Sequence, residues 1–223
     1  MAIIGISGKI GSGKDTVGMI IQTHMAKQSW PDLQVKKVLE YPKEYGAAIS
    51  AISTYKIKKF AGKLKQVASM LTRIPIENFE NQEFKETSLG PEWGMTVRDL
   101  LQKLGTEGLR VGLHENTWVN ALMADYQPLD YDQLTESEIY SNWIITDTRF
   151  INEAEAIKNR EGIIIRIENK KNKSSQSHSS ETALDDWEFD YVIDNSGTIE
   201  ELSNKVFKML LHFKLINPPA AND

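Results

Sequence analysis

Cysteine is absent from this 223-residue chain. That excludes disulfides and thiolate metal sites, and it fits a reducing, cytoplasmic compartment. Long apolar runs are missing as well. Gly162-Ile163-Ile164-Ile165 is among the longest, far short of the roughly 20 residues a membrane helix requires, so no membrane partner is expected. The first residues lack the basic region, long apolar stretch and small-residue cleavage site of a secretory signal. Positive charge is in deficit: the net charge is −5, which argues against a general nucleic-acid binder. Internal repeats are not seen. What remains, at 40% hydrophobic and 26% charged residues, is the composition of an ordinary globular domain with a proper core. Its cations are unevenly spread. Lys56, Lys58, Lys59, Lys63 and Lys65 crowd one stretch, and Arg166, Lys170, Lys171 and Lys173 another. An acidic chain that concentrates cations in this way points to a small anionic ligand.

Apolar runs at Ile3 to Ser7, Trp143 to Asp147 and Gly162 to Ile167 read as buried strands, with further strands at Tyr55 to Phe60 and Phe189 to Ile193. Helical spacing follows at Lys14 to Ala26, Gly62 to Leu71, Glu107 to Leu113, Thr117 to Ala124, Asn152 to Arg160 and Thr198 to Leu211. Thr96 to Leu104 carries its own start signal, Thr96 as N-cap with Asp99 in the capping-box position. Pro31 and Pro42 break the pattern of Asp32 to Ser53, which reads as an insertion; Pro128 to Asn142 is polar and acidic and reads as a loop insertion. Strands alternating with helices predict a parallel sheet covered on both faces. In such sheets ligands bind beyond the carboxyl ends of the strands.

One contiguous motif names the ligand class. Gly8-Lys9-Ile10-Gly11-Ser12-Gly13-Lys14 fits G-x-x-x-x-G-K and lies between a predicted strand and helix, as a phosphate-binding loop requires. Glycines let backbone N–H groups turn inward around a phosphate chain, the helix start adds partial positive charge, and Lys14 reaches the terminal phosphates. Asp15 follows the lysine where Ser or Thr is commoner, with Thr16 next. Asp15 can ligate Mg²⁺, bind it through water, or cap the helix. The expected ligand is a nucleoside triphosphate, and the several separated cations suit transfer to a second phosphate, where positioning and charge neutralisation do the work.

Further stretches carry a resemblance: Phe60-Ala61-Gly62-Lys63-Leu64-Lys65, Trp93 to Arg98, Leu101 to Glu107, Asp147-Thr148-Arg149-Phe150-Ile151-Asn152-Glu153-Ala154, His178-Ser179-Ser180-Glu181 and Asp194-Asn195-Ser196-Gly197-Thr198. In order and spacing the chain resembles the bacteriophage-type deoxynucleoside monophosphate kinases, a P-loop family. The resemblance implies a three-layer P-loop kinase fold with a five-stranded parallel sheet. It implies one domain over residues 1–217, with an acceptor-binding helical insertion at about 61–126, a lid at about 168–185 and a flexible tail at 218–223. It implies ATP and Mg²⁺ as cofactors, and a deoxynucleoside monophosphate as acceptor, with a homodimer allowed.

Residue by residue, the resemblance gives Lys14 and the loop Gly8, Lys9, Gly11, Ser12 and Gly13 to the donor phosphates. Asp15, Thr16 and Asp147 go to the metal, Arg149 and the lid's Lys171 to the transferring group, and Asn195 and Gly197 to the donor base. Phe60, Lys65, Trp93, Arg98, Arg110 and Arg149 are assigned to the acceptor. Simpler roles stand beside these: Asp147 as a turn cap, Arg149 paired with Glu153, Arg110 in a surface ion pair, Trp93 and Trp118 in the core. Phosphomevalonate kinases and dephospho-coenzyme A kinases share the general plan, and a nucleotide-dependent switch protein is the rival from another class.

Overall fold

The computed structural model describes residues 3–171 and 182–217. In chain order its elements are β1 (Ile3–Ser7), α1 (Lys14–Ala26), α2 (Val35–Glu40), α3 (Pro42–Ile52), β2 (Tyr55–Lys58) and α4 (Phe60–Thr72). After a 3₁₀ turn at Ile76–Glu80 come α5 (Gln82–Lys85) and α6 (Val97–Gln102), which runs on as a π-helix at Lys103–Val111. Then follow α7 (Thr117–Met123), β3 (Pro128–Asp132), β4 (Ser137–Tyr140), β5 (Asn142–Ile145), α8 (Ile151–Lys158), β6 (Ile163–Glu168), β7 (Tyr191–Asp194) and α9 (Ile199–His212). Among the described residues no helix is long and apolar enough to cross a membrane. The elements sort into two compact units: one made of the chain up to Lys58 together with the chain from Pro128 onward, and one made of Lys59–Gln127.

In the first unit a five-stranded parallel sheet runs in the order β2-β5-β1-β6-β7. The central strands β1 and β5 and most of β6 are apolar and buried because both faces are covered there. Ile4, Ile6, Ile165, Ile167 and Ile193 turn to one face, where α1 and α9 supply Val17, Ile20, Ile21, Leu202, Val206 and Met209. On the other face Gly5 and Ile164 lie against Ile157 of α8. Strand order reverses at β1, whose neighbours β5 and β6 lead away in opposite directions, so the crevice beyond Ser7 is the expected ligand position. Thr198 caps α9 reciprocally with Glu201, N–H to Oε2 at 2.9 Å and N–H to Oγ1 at 3.2 Å.

Four segments of this unit differ from the expectation or add to it. Residues 32–53 form α2 and α3, and Pro42 opens α3, where its missing N–H costs nothing. Residues 128–142 hold an antiparallel β3–β4 hairpin rather than an open loop. Asp132 Oδ1 accepts from the N–H groups of Leu134 and Thr135, at 2.8 and 3.4 Å, and so builds the turn. The second strand stops at Lys58, since Phe60 already opens α4, and Phe189 precedes the last strand.

The second unit is helical. Ala68, Phe79, Val97 and Leu100 form its core, with Trp93, Leu101 and Leu104 packed against them. Thr96 and Asp99 make the expected capping box. Trp118 Nε1 donates to Gly105 O at 2.8 Å, fixing α7 to the π-helical turn. The 3₁₀ turn and α5 were not foreseen, and the expected helix over 107–113 lies largely within the wider π-helical stretch.

Candidate functional site

Between β1 and α1 the chain turns on residues that a side chain would disrupt. Gly8 runs so close to β6 that a Cβ there would stand 2.6 Å from Ile167 O. Gly13, at φ +96°, caps α1 in the left-handed region and brings no side chain to the amides of the first turn. That arrangement suits an anion at the helix start. The Ser12 side-chain oxygen is buried and has no hydrogen-bond partner among the described residues. A buried hydroxyl left unpaired costs on the order of 1–3 kcal/mol, which a phosphate oxygen would offset. Lys14 folds back over the loop, its Nζ donating to Gly8 O and, at 2.9 Å, to Lys9 O. The residues present fit a triphosphate.

Asn195, just beyond β7, braces this loop. Its Nδ2–H donates to Ser12 O at 2.8 Å and its backbone N–H to Glu168 O at 2.6 Å. Gly197 immediately precedes the α9 capping box, where a Cβ would meet Glu201.

Asp15 is tied across the sheet edge: its Oδ1 accepts from Thr146 Oγ at 2.6 Å. That bond sets the end of β5 against the start of α1. Thr146 N–H donates to Lys58 O and Thr148 N–H to Ile6 O, each at 3.2 Å, so Asp147 is held half-buried between the ends of β2 and β1. Glu153, itself buried, accepts on Oε2 from the backbone N–H groups of Arg149 at 2.8 Å and Phe150 at 3.1 Å. The turn carrying Arg149 is thereby fixed. Lys14, Asp15, Asp147 and Arg149 thus share one sheet edge, with Thr16 in the first turn of α1. No group of three or more His, Cys, Asp or Glu able to hold a metal occurs among the described residues. Mg²⁺, however, is commonly bound by one or two carboxylates plus substrate phosphates, which Asp15 and Asp147 can supply.

Beside the loop, a cavity of about 430 Å³ is lined by Lys9, Ser12, Arg166, Lys170, Trp187 and Phe189 among others. Arg166 was read from sequence only as part of a basic stretch. Here it donates to Ser7 Oγ at 3.2 Å and Asp185 Oδ1 at 2.8 Å, and it lies 5.3 Å from the centre of the Phe189 ring. Lys9 stands 3.8 Å from Asp185 as well. Of the expected lid, Lys170 N–H donates to Ser196 Oγ at 3.1 Å and the exposed Lys171 caps a turn through Asn169 Oδ1 at 3.0 Å; Lys173 and His178 lie outside the described residues.

In the helical unit Phe60 and Lys65 are buried in α4. Lys65 Nζ pairs with Glu80 Oε1 at 2.5 Å. Arg98 donates to Glu86 Oε1 at 2.6 Å and to Gln82 Oε1 at 3.3 Å. Burial pushes the Glu80 carboxyl upward, but Lys65, backed by Lys59 and Lys85, outweighs this and holds its pKa below the usual value. Lys63 pairs with Asp125 at 2.8 Å, as a solvated face would. Trp93 packs on the core, the simpler of its two roles; Arg110 is half-buried in the π-helical stretch.

Comparison with known proteins follows the same line. The family model described as deoxynucleotide monophosphate kinase matches residues 33–206. A protein of Acanthamoeba polyphaga mimivirus that carries this kinase name provisionally is 33% identical over 158 residues, 67% of this chain and 79% of its own length. The deoxynucleotide monophosphate kinase of Escherichia phage RB69 is 30% identical over 137 residues, covering 61% of this chain and 53% of that enzyme. The enzyme of that name from Enterobacteria phage T4 is 31% identical over 111 residues, 50% of this chain and 44% of its own. The chain therefore spans about half the length of the two phage enzymes. With the family match extending over most of its residues, this chain belongs to the deoxynucleotide monophosphate kinase family.

Proposed function

We propose that the protein transfers the γ-phosphoryl group of ATP to the 5′-phosphate of a deoxynucleoside monophosphate, giving the diphosphate and ADP. The observation that carries this is the built phosphate cradle after β1, with the unpaired buried Ser12 hydroxyl at its centre and Lys14 over it, in a chain of this family. An acceptor phosphate oxygen is already anionic, so no general base is needed. As the bond from Pγ to the β–γ bridging oxygen breaks, one from Pγ to the acceptor oxygen forms, and the leaving charge stays on ADP. The protein must align the two phosphates and offset their repulsion.

Lys14, Ser12 and the amides of Gly8 to Gly13 hold the donor's β- and γ-phosphates. Asn195 acts through Ser12 by keeping that carbonyl, and so the loop, in place. Arg149, fixed by Glu153, meets the group in transfer, and Lys171 contributes from the lid. Asp15, Thr16 and Asp147 are the residues that would hold Mg²⁺, which bound there neutralises phosphate charge. Lys65, Arg98 and Arg110 receive the acceptor, with Phe60 and Trp93 shaping the helical unit around it.

Coupled assays with ATP, Mg²⁺ and a panel of deoxynucleoside monophosphates, with mevalonate 5-phosphate and dephospho-coenzyme A as controls, test the reading. At least one deoxynucleotide should turn over, and Lys14→Ala should abolish transfer while leaving the circular dichroism unchanged. Turnover confined to a control acceptor, or full activity of the Lys14 variant, would overturn it.

A further inference from the structure

Ser7 of β1, Arg166 of β6 and Val192 of β7 stand in one row across the sheet register. Alternation along each strand puts them on the face where Gly5 and Ile164 meet α8, opposite α1 and α9. The cavity of about 430 Å³ that Arg166 and Val192 help to line is therefore reached from the α8 face. The helix start that serves the phosphate cradle lies on the other face. Val192 is 51% exposed although it belongs to a sheet strand, so this part of the face is uncovered.

The segment from Leu184 to Asp190, which supplies Trp187 and Phe189, is fixed to the sheet. Leu184 is buried, and Trp187 N–H donates to its carbonyl at 3.2 Å. Asp190 N–H donates to Ile164 O at 3.0 Å, and Asp190 Oδ2 accepts from Ile164 N–H at 2.7 Å. Trp187 Nε1 is nonetheless buried with no hydrogen-bond partner among the described residues. A buried indole N–H ordinarily finds an acceptor, and phenylalanine would fill the space without leaving a donor unpaired. Phe189 and Val192 add apolar lining, and Lys9, Lys170 and Arg166 add positive charge. Asp185 holds Arg166 at 2.8 Å but is 38% exposed against 11% for the arginine, so it can give way to a stronger anion.

We infer that this cavity is a second nucleotide site, separate from the phosphate cradle. The base accepts a hydrogen bond from Trp187 Nε1–H and lies on Phe189 and Val192; the phosphate meets Lys9, Lys170 and Arg166. An inorganic anion would leave the apolar lining in water, and an uncharged nucleoside would leave the cations unanswered. The inference goes beyond the proposed transfer and does not rest on it.

Equilibrium dialysis of the full-length protein with ADP, GDP, CDP and dTDP in turn tests this. Lys14→Ala weakens the cradle, and at least one of these nucleotides should still bind that variant. Adding Trp187→Phe should weaken the remaining binding about tenfold. Val192→Glu gives an independent arm at an exposed position: it should abolish the same binding, because a carboxylate then faces the phosphate. Orthophosphate and the free nucleoside should each bind more weakly than the nucleotide by about tenfold or more. In the otherwise wild-type protein, Trp187→Phe should leave KM for ATP within about twofold of its original value. If KM for ATP rose in step with the lost affinity, the cavity would be part of the donor site and no second site. Binding indifferent to both Trp187 and Val192, or no binding to the Lys14 variant, would equally overturn the inference. Dialysis needs no turnover, so a wild type that phosphorylates no deoxynucleotide would overturn the proposed function alone.

Discussion

Replacing Gly13 with alanine probes the loop and its brace together. At φ +96° a Cβ costs about 1–2 kcal/mol, partly offset by roughly 0.4–1 kcal/mol from a stiffer unfolded chain. The new carbon would also stand 2.4 Å from Asn195 Nδ2. That atom is the end of a side chain and can retreat, so the further cost is the hydrogen bond it abandons to Ser12 O, about 1 kcal/mol. The total is about 2 kcal/mol. Asn195→Ala alone should cost about 1 kcal/mol for the same bond. In the double variant the bond is already gone and the collision removed, so Gly13→Ala should add only its backbone strain. Urea unfolding of the four proteins should therefore show a coupling of about 1 kcal/mol. Additivity to within about 0.3 kcal/mol would mean that Asn195 does not brace the loop. The kinetic counterpart is a raised KM for ATP in both single variants.

Two further perturbations test the packing of each unit. His24 lies against Phe207 and Ser203, and burial first, then the Lys27 charge, lower its pKa from 6.5 to about 4 although Ser203 opposes this. As pH falls through 6.5 the unfolded chain takes up a proton that the native ring refuses. The associated stability is thus complete above that pH and declines between 6.5 and about 4, by about 2 kcal/mol at pH ~5. His24→Gln should flatten this part of the urea-midpoint profile; parallel profiles for variant and wild type would refute it. Trp118→Phe removes the donor to Gly105 O and with it the side-chain bond that ties α7 to the π-helical stretch. It should destabilise by about 1 kcal/mol, and a loss under about 0.3 kcal/mol in the same assay would show that the bond contributes little.

The sheet was legible because each central strand is a short apolar run with nothing else to become. Lys14–Ala26 agreed at both ends with the helix expected from its spacing, and Thr96 and Thr198 announced their helices through capping partners three residues on. The β3–β4 hairpin was not legible. Leu129, Tyr131, Leu134 and Ile139 are exposed, so no buried face imposes an alternation of apolar and polar residues. The one-turn α5 is too short to express any period, and a π-helical stretch defeats a search at 3.6 residues per turn. The phosphate loop could be read because its chemistry is contiguous. The ties that set it could not: Thr146 to Asp15, Asn195 to Ser12 and Arg166 to Asp185 join residues that only the fold brings together. Glu80 and Asp185 were passed over for a chemical reason. A lone carboxylate in a sequence looks like a solvated face, and only its partner shows otherwise.

Those carboxylates share one asymmetry. In the pairs Lys65–Glu80, Arg98–Glu86 and Arg166–Asp185 the cation is the more buried partner and the carboxylate the more exposed. An ion pair built for stability gains little from this, because an exposed partner is screened and mobile. For the proposed phosphoryl transfer the asymmetry would have a use. The cation stays oriented and partly compensated within the fold, yet the group opposing it can move into water when a stronger anion arrives. Exchange then replaces one hydrogen-bonded anion with another and leaves no buried charge unpaired, which would be the costly outcome. Because each exchange returns a carboxylate to solvent and draws in a dianion, anion affinity at these cations should weaken with ionic strength, as it does wherever partly exposed charges do the binding.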